Sequence, residues 1–549
     1  MGGNDVWKTR FRVGIAVVSL AATYTLVRRH FFARRPSVRR AAPPAAGFGA
    51  ESTDITVSSL HVYPVKSMRG HAVPEAEVDG LGFINDRRWV VALSPDSPSE
   101  SAPPARFLTQ RQLPQLATLT PYVLTRAALL GVRAHIERVR ASGRRNAVSG
   151  DELVDVAAGA TRAAALAARR VNETAMWEPD ASAWFPVASS SARLARAAAL
   201  LITVDRVWSS RGLQNWVLVP LVRVADAVSS ARGREHGAFS PAGSGLRSVR
   251  VWDDVVDVVV DQGDSVAEWL RSVLVDPFVS PGEPDTYGVL APTSRIRLLY
   301  IDEAAALSAR PLVSKHMPLP LPQPLIALLN PSSARHAVAQ ASGAHRFMLS
   351  VLARLLEVAW ALCARGSAAS QVSFADGYPL LLANTASLAD LNAKMSARGV
   401  APVPMARFRP NVVVTPTGDP PLGAPSWAWS EDSWSDCRVQ PSQLRLRGVK
   451  RCSRCAVTTT DQTSGVRDTL SEPLATLMTF RGSARPGSAD VFFGMNMVHD
   501  IEPEIDTVVV DDDDAVTRSA NEIVERPKNV IRVGDKIVVT RADGAVPPV

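Results

Sequence analysis

From residue 55 onward the chain alternates apolar and polar positions in short runs. Ile55-Thr56-Val57-Ser58-Ser59-Leu60-His61-Val62 follows the period of two expected of a strand with one buried face. Residues 88–93 predict a second strand, with Gly80, Gly82 and Asn85-Asp86 as turn signals between them, and 116–124 a third. From about 126 to 246 Ala, Arg and Ser take over, and helical runs such as 157–168 predict an insertion, partly helical and partly loose. Strand patterns resume at 249–252 and 255–260, followed by an amphipathic helix over 265–274 and a strand over 296–301. A proline-rich stretch (Pro318, Pro320, Pro322, Pro324) and a helix near 346–362 predict a second insertion. A last domain begins near Val372. There Ser387-Leu388-Ala389-Asp390 reads as a capping-box-like helix start, with Leu388, Leu391 and Met395 on the apolar face. Residues 412–414, 444–446 and 537–539 predict further strands. Many short strands with few helices predict a mainly β chain with some α, built from β-barrel-like domains.

The N-terminus differs. Residues 13–27 (VGIAVVSLAATYTLV) carry no charge; Lys8, Arg10 and Arg12 precede them, and Arg28, Arg29, Arg34, Arg35, Arg39 and Arg40 follow. A full span needs about 20 apolar residues. Trp7, Phe11, Phe31 and Phe32 extend this shorter run, and the flanking arginines can snorkel. A cleaved signal peptide or presequence fits less well than a membrane anchor over 1–40, followed by an Ala/Pro linker over 41–54. The larger basic cluster lies after the run, which favours a cytosolic body.

Composition narrows the function classes. The 549 residues are 46% hydrophobic and 21% charged, which excludes wholesale disorder. Four cysteines in this length exclude a disulfide framework and point to a reducing compartment. A net charge of +8 invites a nucleic-acid reading, but the Arg-rich stretch 138–145 has no interleaved aromatics for base stacking, so no nucleic-acid partner is expected. The acidic run 511–514 reads as a solvated segment, and no Gly-rich phosphate loop is present.

The most informative motif is Cys452-Ser453-Arg454-Cys455, set between the strand-like run 444–449 with Lys450-Arg451 and the β-prone stretch 457–461. A thiolate among cations is a good nucleophile or soft-metal ligand, and the cations suit a phosphate-bearing ligand.

Several stretches together resemble the MOSC-domain family. Leu60-His61-Val62-Tyr63-Pro64-Val65-Lys66-Ser67, Asp86-Arg87-Arg88-Trp89 and Thr109-Gln110-Arg111-Gln112-Leu113-Pro114 resemble the MOSC N-terminal β-barrel domain. Phe374-Ala375-Asp376-Gly377-Tyr378-Pro379, Ser387-Leu388-Ala389-Asp390-Leu391-Asn392, Phe408-Arg409-Pro410-Asn411, Glu431-Asp432-Ser433-Trp434, the Cys-Ser-Arg-Cys motif and Gly534-Asp535 follow in the order of the MOSC domain. Within the family the chain most resembles the mitochondrial amidoxime-reducing component. The resemblance covers roughly 55–125, 248–302 and 370–540. It implies a MOSC N-terminal β-barrel domain over 55–302 (insertion about 126–246), a connector over 303–369, and a MOSC β-barrel domain over 370–545 (acidic insertion about 500–528).

The resemblance also implies a chemistry. Family members hold a molybdenum cofactor (molybdenum with molybdopterin), whose metal is ligated by the second cysteine of the motif, here Cys455. Lys66, Ser67, Arg87, Arg409, Asn411, Ser453 and Arg454 match positions that bind the cofactor's phosphate and ring. Asp376 matches a position near the metal, where it would orient a ligand or take part in proton delivery. Gly377-Tyr378 departs from the small hydroxyl pair of animal relatives and would remove two cofactor hydrogen bonds. The implied activity is reduction of N-hydroxylated substrates such as amidoximes, with electrons from cytochrome b5 and NADH-cytochrome b5 reductase, at the mitochondrial outer membrane facing the cytosol. The alternative is a molybdenum-cofactor-binding carrier or sulfurase-related MOSC protein without reductase activity.

Overall fold

The computed structural model describes residues 55–94, 104–142, 148–171, 199–204, 215–221, 245–252, 254–274, 295–301, 372–418, 426–484, 488–500 and 529–542. The apolar segment 13–27, the linker, the connector 303–369 and the acidic insertion at 501–528 lie outside these residues. Among the described residues no helix is long and apolar enough to cross a membrane.

The strands are β1 (Ile55–Val62), β2 (His71–Val73), β3 (Glu75–Asp79), β4 (Gly82–Phe83), β5 (Trp89–Ser94), β6 (Ala105–Phe107), β7 (Leu119–Leu124), β8 (Ala199–Val204), β9 (Trp216–Pro220), β10 (Gly245–Val251), β11 (Asp254–Asp261) and β12 (Arg295–Tyr300). The C-terminal part adds β13 (Leu380–Asn384), β14 (Val412–Pro416), β15 (Trp434–Gln440), β16 (Arg445–Arg454), β17 (Val491–Asp500), β18 (Val530–Arg532) and β19 (Lys536–Ala542). The helices are α1 (Arg126–Ala141), α2 (Gly150–Val171), α3 (Asp264–Leu274), α4 (Thr385–Ala397) and α5 (Leu474–Arg481).

Two barrels organise these elements. β10-β11-β12-β5-β6 form a closed barrel, with β10 and β6 parallel at the seam. Every residue of β5 is buried. Val90 and Ala92 join the core with Val249, Val259 and Leu299, whereas Trp89, Val91 and Leu93 pack in another with Val266 and Leu270 of α3. A strand covered on both faces loses polar alternation, which is why this segment reads as a continuous apolar run. The Ala/Arg-rich region contributes α1 and α2, which pack on the small sheet β7-β8-β9 through Val132, Leu153, Ala157 and Leu201.

The second sheet runs β14-β13-β17-β16-β15-β19-β1, with β2 beyond β1, and β1 also pairs with β14. Although Ile55 opens the first domain in sequence, β1 is thus a stave of the C-terminal barrel. Its inward residues Ile55, Val57 and Leu60 pack with Val412, Trp434, Leu446, Met495 and Ile537. Gly448 in β16 lies where a Cβ would sit 2.0 Å from the Trp434 carbonyl oxygen, so only glycine lets the strands cross there.

Three local expectations need correction. The helix expected to start at Ser387 starts at Thr385: Asn384 is its cap, its side chain accepting from the Ala386 N–H at 2.9 Å. The Ser387 hydroxyl is engaged elsewhere, donating to Glu431 at 2.8 Å and accepting from the Trp429 N–H at 2.7 Å. The β-prone stretch after Cys455 is a 3₁₀ turn, Ala456–Thr459, because the Thr458 and Thr459 hydroxyls donate back to the Cys455 and Ala456 carbonyls at 2.9 and 2.8 Å. The start of the strand expected over 116–124 is likewise a 3₁₀ turn, Pro114–Thr118, since proline at its first position favours helical φ.

Candidate active site

The chain leaves β1 and crosses to the first barrel through Tyr63-Pro64-Val65-Lys66-Ser67. The Tyr63 N–H donates to Asp86 Oδ1 at 2.8 Å, the Arg87 N–H to the Tyr63 carbonyl at 2.8 Å, and the Lys66 N–H to the Trp89 carbonyl at 2.8 Å. Two of the matched motifs therefore zip together along their backbones. Ser67, Arg87 and Arg409 have φ of 68°, 49° and 55°, a left-handed conformation unfavourable for side chains of this size. Strain gathered at three neighbouring candidate residues is the signature of a site held by its surroundings.

Tyr63 organises the cations. Its ring lies 4.5 Å from the Arg87 guanidinium and 4.4 Å from that of Arg409, and its hydroxyl donates to the Pro410 carbonyl at 3.1 Å. Burial pushes the phenol up to about 12, against the downward pull of Arg409 and Arg87. Gly70 makes room: a Cβ there would stand 2.4 Å from the ring.

Each cation is held differently. Lys66 is 4% exposed, and its Nζ donates to the Phe374 carbonyl at 2.8 Å and to Asp376 Oδ1 at 2.5 Å. Arg87 pairs with Asp86, donates to Asn411 Oδ1 at 2.9 Å and reaches the Arg409 carbonyl at 3.4 Å. Arg409 donates to Gln462 Oε1 at 3.1 Å. Burial, reinforced by Arg87, lowers it to about 10, so it stays charged at neutral pH. Arg454 donates to Cys452 Sγ at 2.8 Å and to the Phe408 carbonyl at 2.8 Å. Among the described residues no carboxylate pairs with Arg409 or Arg454, and Arg454 Nε is buried without a partner. Four cations, Lys66 and Arg409 buried and Arg87 and Arg454 half-buried, against two carboxylates, Asp86 and Asp376, leave an excess of largely desolvated positive charge. Such an excess is stable only when an anion offsets it.

Asp376 sits at the open side of this cluster. Its side chain is 70% accessible. Desolvation raises that carboxyl, but Lys66, the Trp252 indole N–H (3.2 Å) and Arg111 outweigh it and hold it well below the usual carboxylate range. Trp252, at φ 57° in the turn between β10 and β11, has Arg111 4.5 Å from its ring. Nothing in the sequence pattern singled out Trp252; the signal, visible only in three dimensions, is its half-exposed indole.

The remaining candidates lie along β16 and after β14. Two bulges against β17, at 448–450 and 451–453, twist the end of β16 that carries the motif. Cys455 follows the last residue of the strand with an exposed thiol; Ser453 is exposed and Cys452 half-buried. Asn411 is buried, and its amide is engaged at both ends: Oδ1 accepts from Arg87 and from the Leu381 N–H (3.2 Å), and Nδ2 donates to the His61 carbonyl at 3.3 Å. The structure thus brings Lys66, Asp376, Arg87, Arg409, Asn411 and Arg454 into one linked cluster, with Ser67 joined through Gln110. Cys455 and Ser453 are tied to it through the chain at Arg454. Tyr63 and Asp86 stand inside matched motifs without having been singled out; Gln110 and Gln462 gave no sequence signal of partnership.

The donor set fits a phosphate-bearing cofactor that brings its own metal ligands. Arg409 and Arg454 have charge free for an anion, and Cys455 offers one exposed thiol. Among the described residues no three His, Cys, Asp or Glu side chains gather to hold a metal on their own.

Comparison with known proteins agrees with this architecture. Residues 54–186 match the MOSC N-terminal beta barrel domain and residues 369–538 the MOSC domain. Over 111 residues the chain is 35% identical to mitochondrial amidoxime-reducing component 1 of Mus musculus and 34% to that of Homo sapiens. It is 36% identical to mitochondrial amidoxime reducing component 2 of Homo sapiens over the same length. The match spans 28% of the length of these relatives and 20% of this chain. The two domain matches together cover more than half of the 549 residues, and the chain belongs to the MOSC-domain family in its two-domain form, a MOSC N-terminal barrel ahead of the MOSC domain.

Proposed function

We propose that the protein is a molybdenum-cofactor oxidoreductase that reduces N-hydroxylated substrates of the amidoxime type. The observation that carries this reading is the pair of arginines without a carboxylate, Arg409 buried and Arg454 half-buried, set beside an exposed cysteine. Names of the relatives add the amidoxime-reducing activity and the mitochondrial setting.

Lys66, Arg87, Arg409 and Arg454 would hold the cofactor's phosphate and ring edge by charge-assisted bonds, and Cys455 would ligate molybdenum. When bound, the cofactor supplies the two-electron chemistry, in which N–OH, two electrons and two protons give N–H and water. The chain's own contribution is orientation. Asp376 stays ionised at neutral pH, so it accepts hydrogen bonds from an N–H or O–H of the substrate and is not itself the proton source. No flavin, haem or nicotinamide motif occurs in the sequence, so the electrons come from outside, in this reading from cytochrome b5 and NADH-cytochrome b5 reductase. The basic-flanked apolar run at 13–27 would anchor the protein, with a mitochondrial outer-membrane position facing the cytosol.

The test is NADH-dependent conversion of benzamidoxime to benzamidine by the cofactor-loaded protein with cytochrome b5 and its reductase. The proposal expects turnover in wild type and none in Cys455→Ala. A loaded wild type that makes no benzamidine refutes reductase activity and leaves a cofactor carrier.

A further inference from the structure

The anion-facing residues come from separate stretches of chain, and one buried pair of amides joins two of them. Gln110 is 0% exposed and Gln462 5%. Gln110 Nε2 donates to Gln462 Oε1 at 3.1 Å, and Gln462 Nε2 donates to Gln110 Oε1 at 3.0 Å. The second N–H of Gln110 goes to the Ser67 carbonyl at 2.7 Å, and that of Gln462 to the Thr460 carbonyl at 3.1 Å. Gln462 Oε1 also accepts from Arg409 at 3.1 Å. All four amide N–H groups are used, which fixes both orientations: flipping either amide would set donor against donor.

The backbones around the pair are locked as well. Arg69 donates to the Gln462 and Thr463 carbonyls at 2.8 and 3.0 Å, and Arg467 to the Gln110 and Arg111 carbonyls at 3.0 Å each. The loop after Cys455 and the loop after β6 are therefore joined by side-chain and backbone hydrogen bonds.

We propose that Gln110 and Gln462 are positioning residues for anion binding, holding Arg409 and the Lys66-Ser67 turn at a fixed separation without neutralising either. A carboxylate at position 462 would reach Arg409 but would take up its charge, and would set an oxygen against Gln110 Oε1 and the Thr460 carbonyl, where Nε2 now donates. A neutral amide oxygen orients the guanidinium and leaves the charge for a phosphate group. This inference rests on Arg409 belonging to the phosphate site of the proposed cofactor.

The experiment is a calorimetric titration of the full-length, cofactor-free chain with inorganic phosphate at low salt, paired with thermal unfolding. The variants are Gln462→Ala, Gln462→Glu, Arg409→Ala and the double variant Gln462→Ala/Arg409→Ala. Gln462→Ala and Arg409→Ala each weaken phosphate binding about tenfold, and the double variant is no weaker than Arg409→Ala alone, because the two act through one guanidinium. Gln462→Glu, which keeps the contact with Arg409, weakens binding as well. A Gln462→Ala protein that melts lower but binds phosphate like wild type overturns the proposal and leaves the pair a packing feature. Losses that multiply in the double variant overturn it too. So does a wild type that binds no phosphate. Phosphate binding needs no molybdenum, so these outcomes are separate from failure of the reductase assay.

Discussion

Glu431 allows a prediction that depends on the fold alone. Its carboxyl is fully buried beneath α4, where Oε2 accepts from the Ser387 hydroxyl at 2.8 Å and from Asn384 Nδ2 at 3.2 Å, while Oε1 has no partner among the described residues. Burial, with the neighbouring Asp432 charge second, raises it from 4.5 to about 7. A carboxyl raised by folding favours the fold when protonated. That contribution is complete below the unfolded value of 4.5 and is lost as pH rises through about 7. A shift of this size corresponds to about 3 kcal/mol of stability lost by wild type on the alkaline side. Glu431→Gln keeps the shape and the acceptor but cannot ionise. Guanidinium unfolding of both proteins should give near-equal stability at about pH 4, and a variant more stable by about 3 kcal/mol at about pH 9. Parallel curves across that range would refute the reasoning, since they would mean that Glu431 ionises as freely in the fold as outside it.

Other consequences are as direct. Asn411→Ala strands the buried Leu381 N–H and one Arg87 donor and should cost about 2–4 kcal/mol in chemical unfolding; a loss below about 1 kcal/mol would show that Asn411 is not the brace described. Gly448→Ala drives a methyl into the Trp434 carbonyl and should destabilise by more than about 3 kcal/mol; a wild-type melting curve would contradict the crossing geometry. Asp376→Asn removes the anion beside Lys66. The carboxyl's depressed value means its contribution is present above the unfolded 3.8 and lost as pH falls through the folded value, so wild type should melt higher than the variant at neutral pH and alike in strong acid. A gap that persists unchanged in strong acid would assign the effect to packing.

Much of the second barrel was legible because its strands carry β-branched apolar runs, Val412-Val413-Val414 and Ile537-Val538-Val539, buried at every position, or a clear alternation, Leu444-Arg445-Leu446. Residues 412–414 and 537–539 fall inside observed strands, the stretch 444–446 meets β16 from its first residue, Arg445, and Leu391 and Met395 are buried on α4 as their spacing requires. The start of α4 was misplaced because Ser387 looks like a cap in sequence, while its hydroxyl is spent on Glu431, more than forty residues away. Cys455 and the cations stood out through their motifs. Their relation to one another did not: Arg87, Arg409 and Tyr63 lie apart in the chain, and it takes the zipping of Tyr63 onto Arg87 and the pairing of β1 with β14 to bring them together. The partnership of Gln110, itself inside a matched motif, with Gln462 was invisible for the same reason, since it exists only across the fold.

The central claim is that Cys455 and the arginine cluster hold a molybdenum cofactor. The most direct measurement is the molybdenum and pterin content of wild type and Cys455→Ala expressed in a cofactor-competent host. The account predicts one molybdenum and one pterin per wild-type chain, and in the variant a loss of metal or an altered metal environment. A well-folded wild type with neither molybdenum nor pterin would contradict it.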